Sequence, residues 1–208
     1  MITKIYSMSF TSGTLLYHET IIVAQLYAEL SDWNAVRTLV IDENRLQMRT
    51  LNASKRIYRE VASRLKQLTA VQHTLLLQGD RPEKLALLWL AVCKRYRFIY
   101  DFAVEVVREN FLRLDMALTH QAYDNFFHDK AEWHPEVSNV AASTQAKQRQ
   151  VIFKMMREAD LLSSDNKIQP ILLAPRLIKA ISQDDPHHLA IFPVLEADIQ
   201  YQLRNVIE

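Results

Sequence analysis

Glycine is nearly missing from this chain: there are two in 208 residues, beside six prolines and one cysteine. A sheet-rich fold with many tight turns needs more of both turn residues, so the shortage favours helices. Two glycines can hardly build a Gly-rich phosphate-binding loop, and no such motif occurs. A single cysteine excludes an internal disulfide and suits a reducing compartment. Cys93 stands in the apolar run "LALLWLAVC" and reads as a buried structural thiol. That run then meets Lys94, Arg95 and Arg97, whereas a membrane-spanning helix needs about 20 apolar residues. No signal peptide is visible in residues 1–30. The expectation is a cytoplasmic protein with no membrane partner.

Catalytic signatures are missing too. There is no G-x-S-x-G elbow and no H-E-x-x-H pair. In "HDKAEWH", His128 and His134 do not share a helical face, and Pro135 breaks the segment, so no metal ligand is assigned. Asp184 and Asp185 could act as an acid–base pair only with a partner that nothing else identifies. The expectation is a protein that is not an enzyme, with no catalytic residues and no cofactor. Nor is there an excess of one charge: Lys plus Arg total 25 and Asp plus Glu total 24. Any electrostatic argument rests on where the charges sit.

What is present is helical periodicity. Leu15, Ile22, Leu26 and Leu30 fall near helical spacing, and Ser31 offers an N-cap for a second helix. Thr50 or Asn52 starts a third helix carrying Ile57, Val61, Leu65 and Leu68. Thr69 with Gln72 reads as a capping box for a short helix ending at Gly79. Residues 83–114 hold no breaker and predict one very long central helix, or two joined near Arg97. Thr119 caps a helix with Tyr123, Phe126 and Phe127, and Ser143 or Thr144 caps the next. "IQPILL" reads as a short strand, and helices follow from Pro175 and over residues 194–206. The predicted fold is all-α and multi-helical, with one small β-hairpin at residues 161–173 in a winged-helix-like C-terminal part. A composition shift near Asp115 divides it into a helical N-terminal domain, 1–115, and a C-terminal domain, 116–208.

The stretch "KQRQVIFKMMREADLLSSDNKIQP" opens with four basic side chains and no acid in eleven residues. On a helix, Ile152, Met155, Ala159 and Leu162 form a core stripe, while Lys147, Gln150, Lys154 and Arg157 line another face. Such a line can track phosphates, and Gln or Arg can reach base edges. Arg149 belongs to the same helix, and Lys167 would be a phosphate contact from the hairpin turn. Residues 45–66 form a second basic concentration, with Arg49, Lys55, Arg56 and Arg59 as candidate contacts. Lys94, Arg95 and Arg97 beside Tyr96 form a third. Most charged helix faces are merely solvated, and winged-helix modules also bind proteins. Polarised charge in a neutral chain nevertheless points to nucleic acid.

Four strings, "YSMSFTSG", "LLWLAVCKRYRFIYDFAVEVVRENF", "DNFFHDKAEWHPE" and "RQVIFKMMREADLLSSDN", occur in this order across most of the chain. Together they resemble the BrxA family, a small non-enzymatic component of bacteriophage exclusion (BREX) systems. The resemblance implies a bacterial protein of a phage-defence island. Its neighbours there would be an adenine-specific DNA methyltransferase, an AAA-type ATPase and a phosphatase-like protein. The family has been likened to NusB, an all-helical RNA-binding antitermination factor. It supplies no catalytic residues to carry over. Residues and resemblance together predict a non-enzymatic accessory protein whose partners are double-stranded DNA and other BREX proteins. Two alternatives stay open: a protein–protein adaptor of the methyltransferase assembly, and a NusB-like RNA-binding factor.

Overall fold

In the computed structural model, residues 5–10 and 13–204 are described. The first half carries α1 (Tyr17–Leu30), α2 (Trp33–Asp42), α3 (Leu51–Leu65), α4 (Ala70–Gln78) and α5 (Arg81–Arg95). Then come α6 (Arg97–Phe102), a π-helical stretch (Ala103–Arg108) and α7 (Glu109–Leu112). The second half carries α8 (His120–Ala131), α9 (Pro135–Ser138), α10 (Ala142–Glu158), α11 (Pro175–Ser182), a 3-10 turn (Pro186–Ile191) and α12 (Glu196–Arg204). Among the described residues none of these helices is long and apolar enough to cross a membrane.

Among the described residues, side-chain caps set the starts of five α-helices. Asp32 caps α2 by accepting the Asn34 N–H, while Ser31, expected in that role, ends α1 in the left-handed region at φ 53°. Thr50 caps α3 and Thr119 caps α8. Both halves of the Thr69–Gln72 box form at α4, and Asp80 with Glu83 forms a second box at α5. Ala141 occupies the cap position of α10 without a side-chain bond, so neither Ser143 nor Thr144 opens that helix. Replacing Thr69 by Ala is expected to lower unfolding free energy by about 1 kcal/mol, read by urea titration, because one helix-end N–H loses its acceptor.

The long apolar stretch is two helices. Tyr96, in extended backbone at φ −121°, separates α5 from α6. Residues 85–93 of α5 are buried on every side, as its continuous apolar sequence demands. The helix packs on α3, α4, α6, α10 and the 3-10 turn. Trp89 is fully buried, and its Nε1–H donates to the Ile191 carbonyl at 3.2 Å. Cys93 is buried beside it, and burial pushes its thiol pKa well up, as expected for a structural thiol.

The predicted hairpin is absent. Among the described residues no strand forms; residues 161–169 contribute only single antiparallel bridges, Leu162 to Ile168 and Ala117 to Lys167. Asp160 and Asn166 adopt left-handed backbone at φ 58° and 61°, bending the chain on both sides of Leu162. Pro170 has no N–H to extend the pairing. The N–H of Ile168 instead bonds Met116 and that of Leu118 bonds Asn166, so the turn is pinned to the chain after α7. Ile168, held by its single bridge, and Leu173 are buried in the core. The wing of the expected winged-helix-like part therefore does not exist.

Burial holds the imidazoles of His73 and His188 below the ordinary histidine pKa, and the Lys94 ammonium adds to the effect at His188. Below the ordinary value the unfolded chain binds protons that these rings refuse when folded, so stability drops as the pH is lowered through that range. The urea midpoint is expected to be lower at pH 5.5 than at about pH 7.5, where histidine is mostly neutral in both states. The pH dependence should shrink in a His73→Gln, His188→Gln variant.

Candidate nucleic-acid interface

Helix α10 sorts its residues as its spacing requires. Val151, Ile152, Phe153, Met155 and Met156 are buried, Lys147, Gln150 and Lys154 are exposed, and Arg157 is half-buried. The predicted core stripe of Ile152, Met155, Ala159 and Leu162 is buried throughout. Gln148 is the polar exception; its amide nitrogen donates to the Met8 carbonyl at 2.6 Å and ties the N-terminal segment across the helix.

That segment forms one wall of a groove. Leu15 N–H donates to Glu158 of α10 at 2.5 Å. Arg64 of α3, only 2% exposed, donates through Nη1 to the carbonyls of Thr14 at 2.9 Å and Leu15 at 3.3 Å. Its Nε donates to Glu60 at 2.8 Å, and the Tyr96 hydroxyl donates to the same carboxylate. Burial first, then Glu60, pushes the Tyr96 pKa up to about 12. Residues 13–16 are thus fastened to both α3 and α10.

The groove so enclosed measures about 540 Å3. Gly13, Thr14 and Leu16 form one side, Arg56 and Ile57 come from α3, and Lys147, Gln150, Val151, Lys154 and Arg157 come from α10. Among the described residues four cations and one amide face it, and no acid lines it. Among the described residues Arg56, Lys147 and Arg157 form no ion pair, and Lys154 has only a loose one with Glu158 at 3.8 Å. Arg157 is steadied by donating to Asn166 at 2.8 Å. The cluster sets charged hydrogen-bond donors on opposing walls of the groove.

Gly13 is required by this geometry. A Cβ there would stand 2.9 Å from Arg64 Nη2 and 3.0 Å from Met155 Cε. Arg64 is held through Nε and Nη1 by three hydrogen-bond partners, so its Nη2 and the Met155 Cε can give only by small shifts. Gly13→Ala is expected to cost about 1–2 kcal/mol by overpacking, measured by urea unfolding.

The remaining predicted contacts are distributed elsewhere. Lys55 and Arg59 line a separate concavity on another flank of α3. Arg49 is exposed just before α3. Arg149 pairs with Asp124, and Lys167 pairs with Asp165 at 2.9 Å in the turn. Lys94 is bound to Asp184 and Arg97 to Asp101, each at 2.7 Å, while Arg95 lies over the Tyr96 ring. His134, weighed as a metal ligand, turns its Nδ1 to Glu136 and its ring against Tyr6. The groove wall at Gly13 and Thr14 carried no basic signal. One of only two glycines, placed before a helix, was the available clue.

Several known proteins resemble this chain. The family model described as BrxA matches residues 4–185. The BREX protein BrxA of Escherichia coli O9:H4 (strain HS) is 24% identical over 178 residues, covering 83% of this chain and 84% of that one. The BREX protein BrxA of Bacillus cereus (strain H3081.97) is 27% identical over 161 residues, covering 77% and 80%. A crystal structure of an uncharacterized protein from Magnetospirillum magneticum superposes with a TM-score of 0.77, covering 91% of this chain and 98% of that one. At 18% identity the last likeness is one of fold.

Proposed function

Because this chain belongs to the BrxA family, and so to the BREX phage-defence systems, we propose that it is a non-enzymatic accessory protein that binds duplex DNA. The observation that carries the reading is the groove between α3 and α10, where Arg56, Lys147, Lys154 and Arg157 meet without a lining acid. Cations left unpaired in a folded protein of near-zero net charge are available to phosphates. The donors are backbone-directed, with Gln150 and the arginines able to add base-edge contacts, so modest sequence preference is expected. The wild-type protein should shift a duplex at low salt. Affinity should fall with salt with a log–log slope of about −3 to −4, at about 0.9 for each phosphate contact. Absence of a complex at low salt would end this reading.

Contact with other BREX proteins is a second reading, and one observation favours it. Trp133, just after α8, is 79% exposed. A large aromatic left in water is a common interface anchor. Trp133→Ala should weaken co-purification with BREX proteins while duplex affinity holds; unchanged co-purification would remove the support.

A further inference from the structure

Two concavities lie on the flank of α3 away from the groove, and they meet at two side chains, Trp33 and Lys66. The first, about 300 Å3, is lined by Arg37, Lys55, Arg59, Lys66 and Trp33 among others, with no acid among the described residues. The second, about 360 Å3, is lined chiefly by Tyr27, Trp33, Leu68, His73 and Leu77, with Lys66 at its edge. Trp33 and Lys66 belong to both. Both volumes lie within the range of about 300–1,000 Å3 usual for small-molecule sites. One half is cationic and the other aromatic and aliphatic, with the indole as their common wall.

The details of each half suit different parts of one ligand. Tyr27 stacks on Trp33 with centroids 3.9 Å apart and planes 13° from parallel. The Lys66 ammonium hangs over the indole, 5.3 Å from its centroid. The His73 ring lies 5.6 Å from that of Tyr27. His73 Nε2 is 2.9 Å from the Leu65 carbonyl, which fixes the ring proton on that nitrogen and leaves Nδ1 as an acceptor. Burial keeps the ring neutral. Among the described residues Arg37, Lys55, Arg59 and Lys66 form no ion pair, although acids elsewhere neutralise Arg45, Arg64, Lys94 and Arg97.

We propose that this bipartite hollow binds a nucleotide, with its base against the Tyr27–Trp33 stack and its phosphate among Arg37, Lys55, Arg59 and Lys66. Every nucleobase has a π-face that an indole accepts, and cations complete such sites. Lys66 leaves the indole as the base arrives and turns to the phosphate. His73 Nδ1 offers an acceptor to an exocyclic amino group, which favours a nucleotide over a phosphorylated aromatic side chain of a peptide. The hollow lies on a different flank of α3 from the groove and is independent of the duplex-DNA reading. The ligand is either a free nucleotide or an unpaired nucleotide within a strand.

Isothermal titration of the whole protein with AMP, ATP, adenosine, tripolyphosphate, O-phosphotyrosine and a short single-stranded dA oligonucleotide tests the proposal. AMP or ATP is expected to bind, with adenosine and tripolyphosphate each about tenfold weaker, since each lacks one half of the contacts. Arg37→Ala with Lys66→Ala, and separately Trp33→Ala, should each reduce affinity about tenfold, while Trp33→Phe keeps most of it. Circular dichroism checks that the exposed Arg37 change leaves the fold intact. The Lys147→Ala, Lys154→Ala, Arg157→Ala protein should bind nucleotide as the wild type does. Tighter binding of the oligonucleotide that persists in the Lys147→Ala, Lys154→Ala, Arg157→Ala protein and is lost with Arg37→Ala, Lys66→Ala assigns the site to a strand, and preference for ATP assigns it to free nucleotide. The proposal is overturned by no binding of any nucleotide or oligonucleotide, by tripolyphosphate or phosphotyrosine matching ATP, or by an inert Arg37→Ala, Lys66→Ala pair.

Discussion

Arg64→Met is expected to cost the protein about 3–5 kcal/mol of unfolding free energy, the usual penalty for removing one member of a buried ion pair. Arg64 is 2% exposed and its partner Glu60 is 16% exposed. Without the guanidinium, Glu60 keeps only the Tyr96 hydroxyl as a side-chain donor among the described residues. The Thr14 and Leu15 carbonyls also lose a donor, a loss of about 1–3 kcal/mol where such a group stays dry. Methionine fills much of the volume, so the loss reports charge and hydrogen bonding instead of a void. Urea unfolding measures it. Adding Glu60→Gln should recover part of the loss, because the two changes act on one network. A single-variant loss below about 1 kcal/mol would show that this ion pair does not hold the fold. The wall formed by residues 13–16 rests on Arg64, so duplex affinity should fall with the fold's rigidity there.

Arg64 also shows where sequence reading stops. It stands in a basic run with Lys55, Arg56, Arg59 and Lys66, and its one local mark, Glu60 four residues before it, lies equally four residues after Arg56. The fold sends it inward to Glu60, sends Arg56 into the groove, and leaves the other three on a different flank of α3. Lys94 is neutralised by a carboxylate ninety positions away and Arg149 by one twenty-five away. Such pairings depend on tertiary contact and leave no pattern in the chain. The signals that could be read were local ones: the Thr69–Gln72 box, the Thr50 and Thr119 caps, and the apolar stripe of α10. "IQPILL" misled because an apolar, β-branched run reads equally as a strand or as extended chain packed on a core. Pro170 and the left-handed Asn166 decide for the latter. The family resemblance, carried by long strings, was confirmed by the match over residues 4–185.

The Lys147→Ala, Lys154→Ala, Arg157→Ala protein is expected to lose at least about a hundredfold in duplex affinity at low salt, since each charged hydrogen bond lost contributes about 1.5–3 kcal/mol before non-additivity. All three side chains lie off the buried face of α10, and alanine is the best helix former, so the helix should persist. Arg157 has a hydrogen-bond partner, Asn166, whose loss costs about 1 kcal/mol, and the loose, exposed Lys154–Glu158 pair contributes less. The salt slope separates electrostatic loss from general damage. Three phosphate contacts removed should flatten it by about 2.7 log–log units, whereas partial unfolding would lower affinity without changing the slope of the folded fraction. Lys179→Ala, on the exposed side of α11 and outside the groove, is the matched control and should bind as wild type. Unchanged binding by the triple variant would move the duplex site to the other flank of α3, where Lys55 and Arg59 lie. Binding seen only when other BREX proteins are added would make the adaptor reading the better one, with the groove holding an acidic protein segment in place of a phosphate run. The sign of the effect is fixed by the unpaired charge: a groove with four cations and no lining acid gains nothing from losing three of them unless no anion enters it.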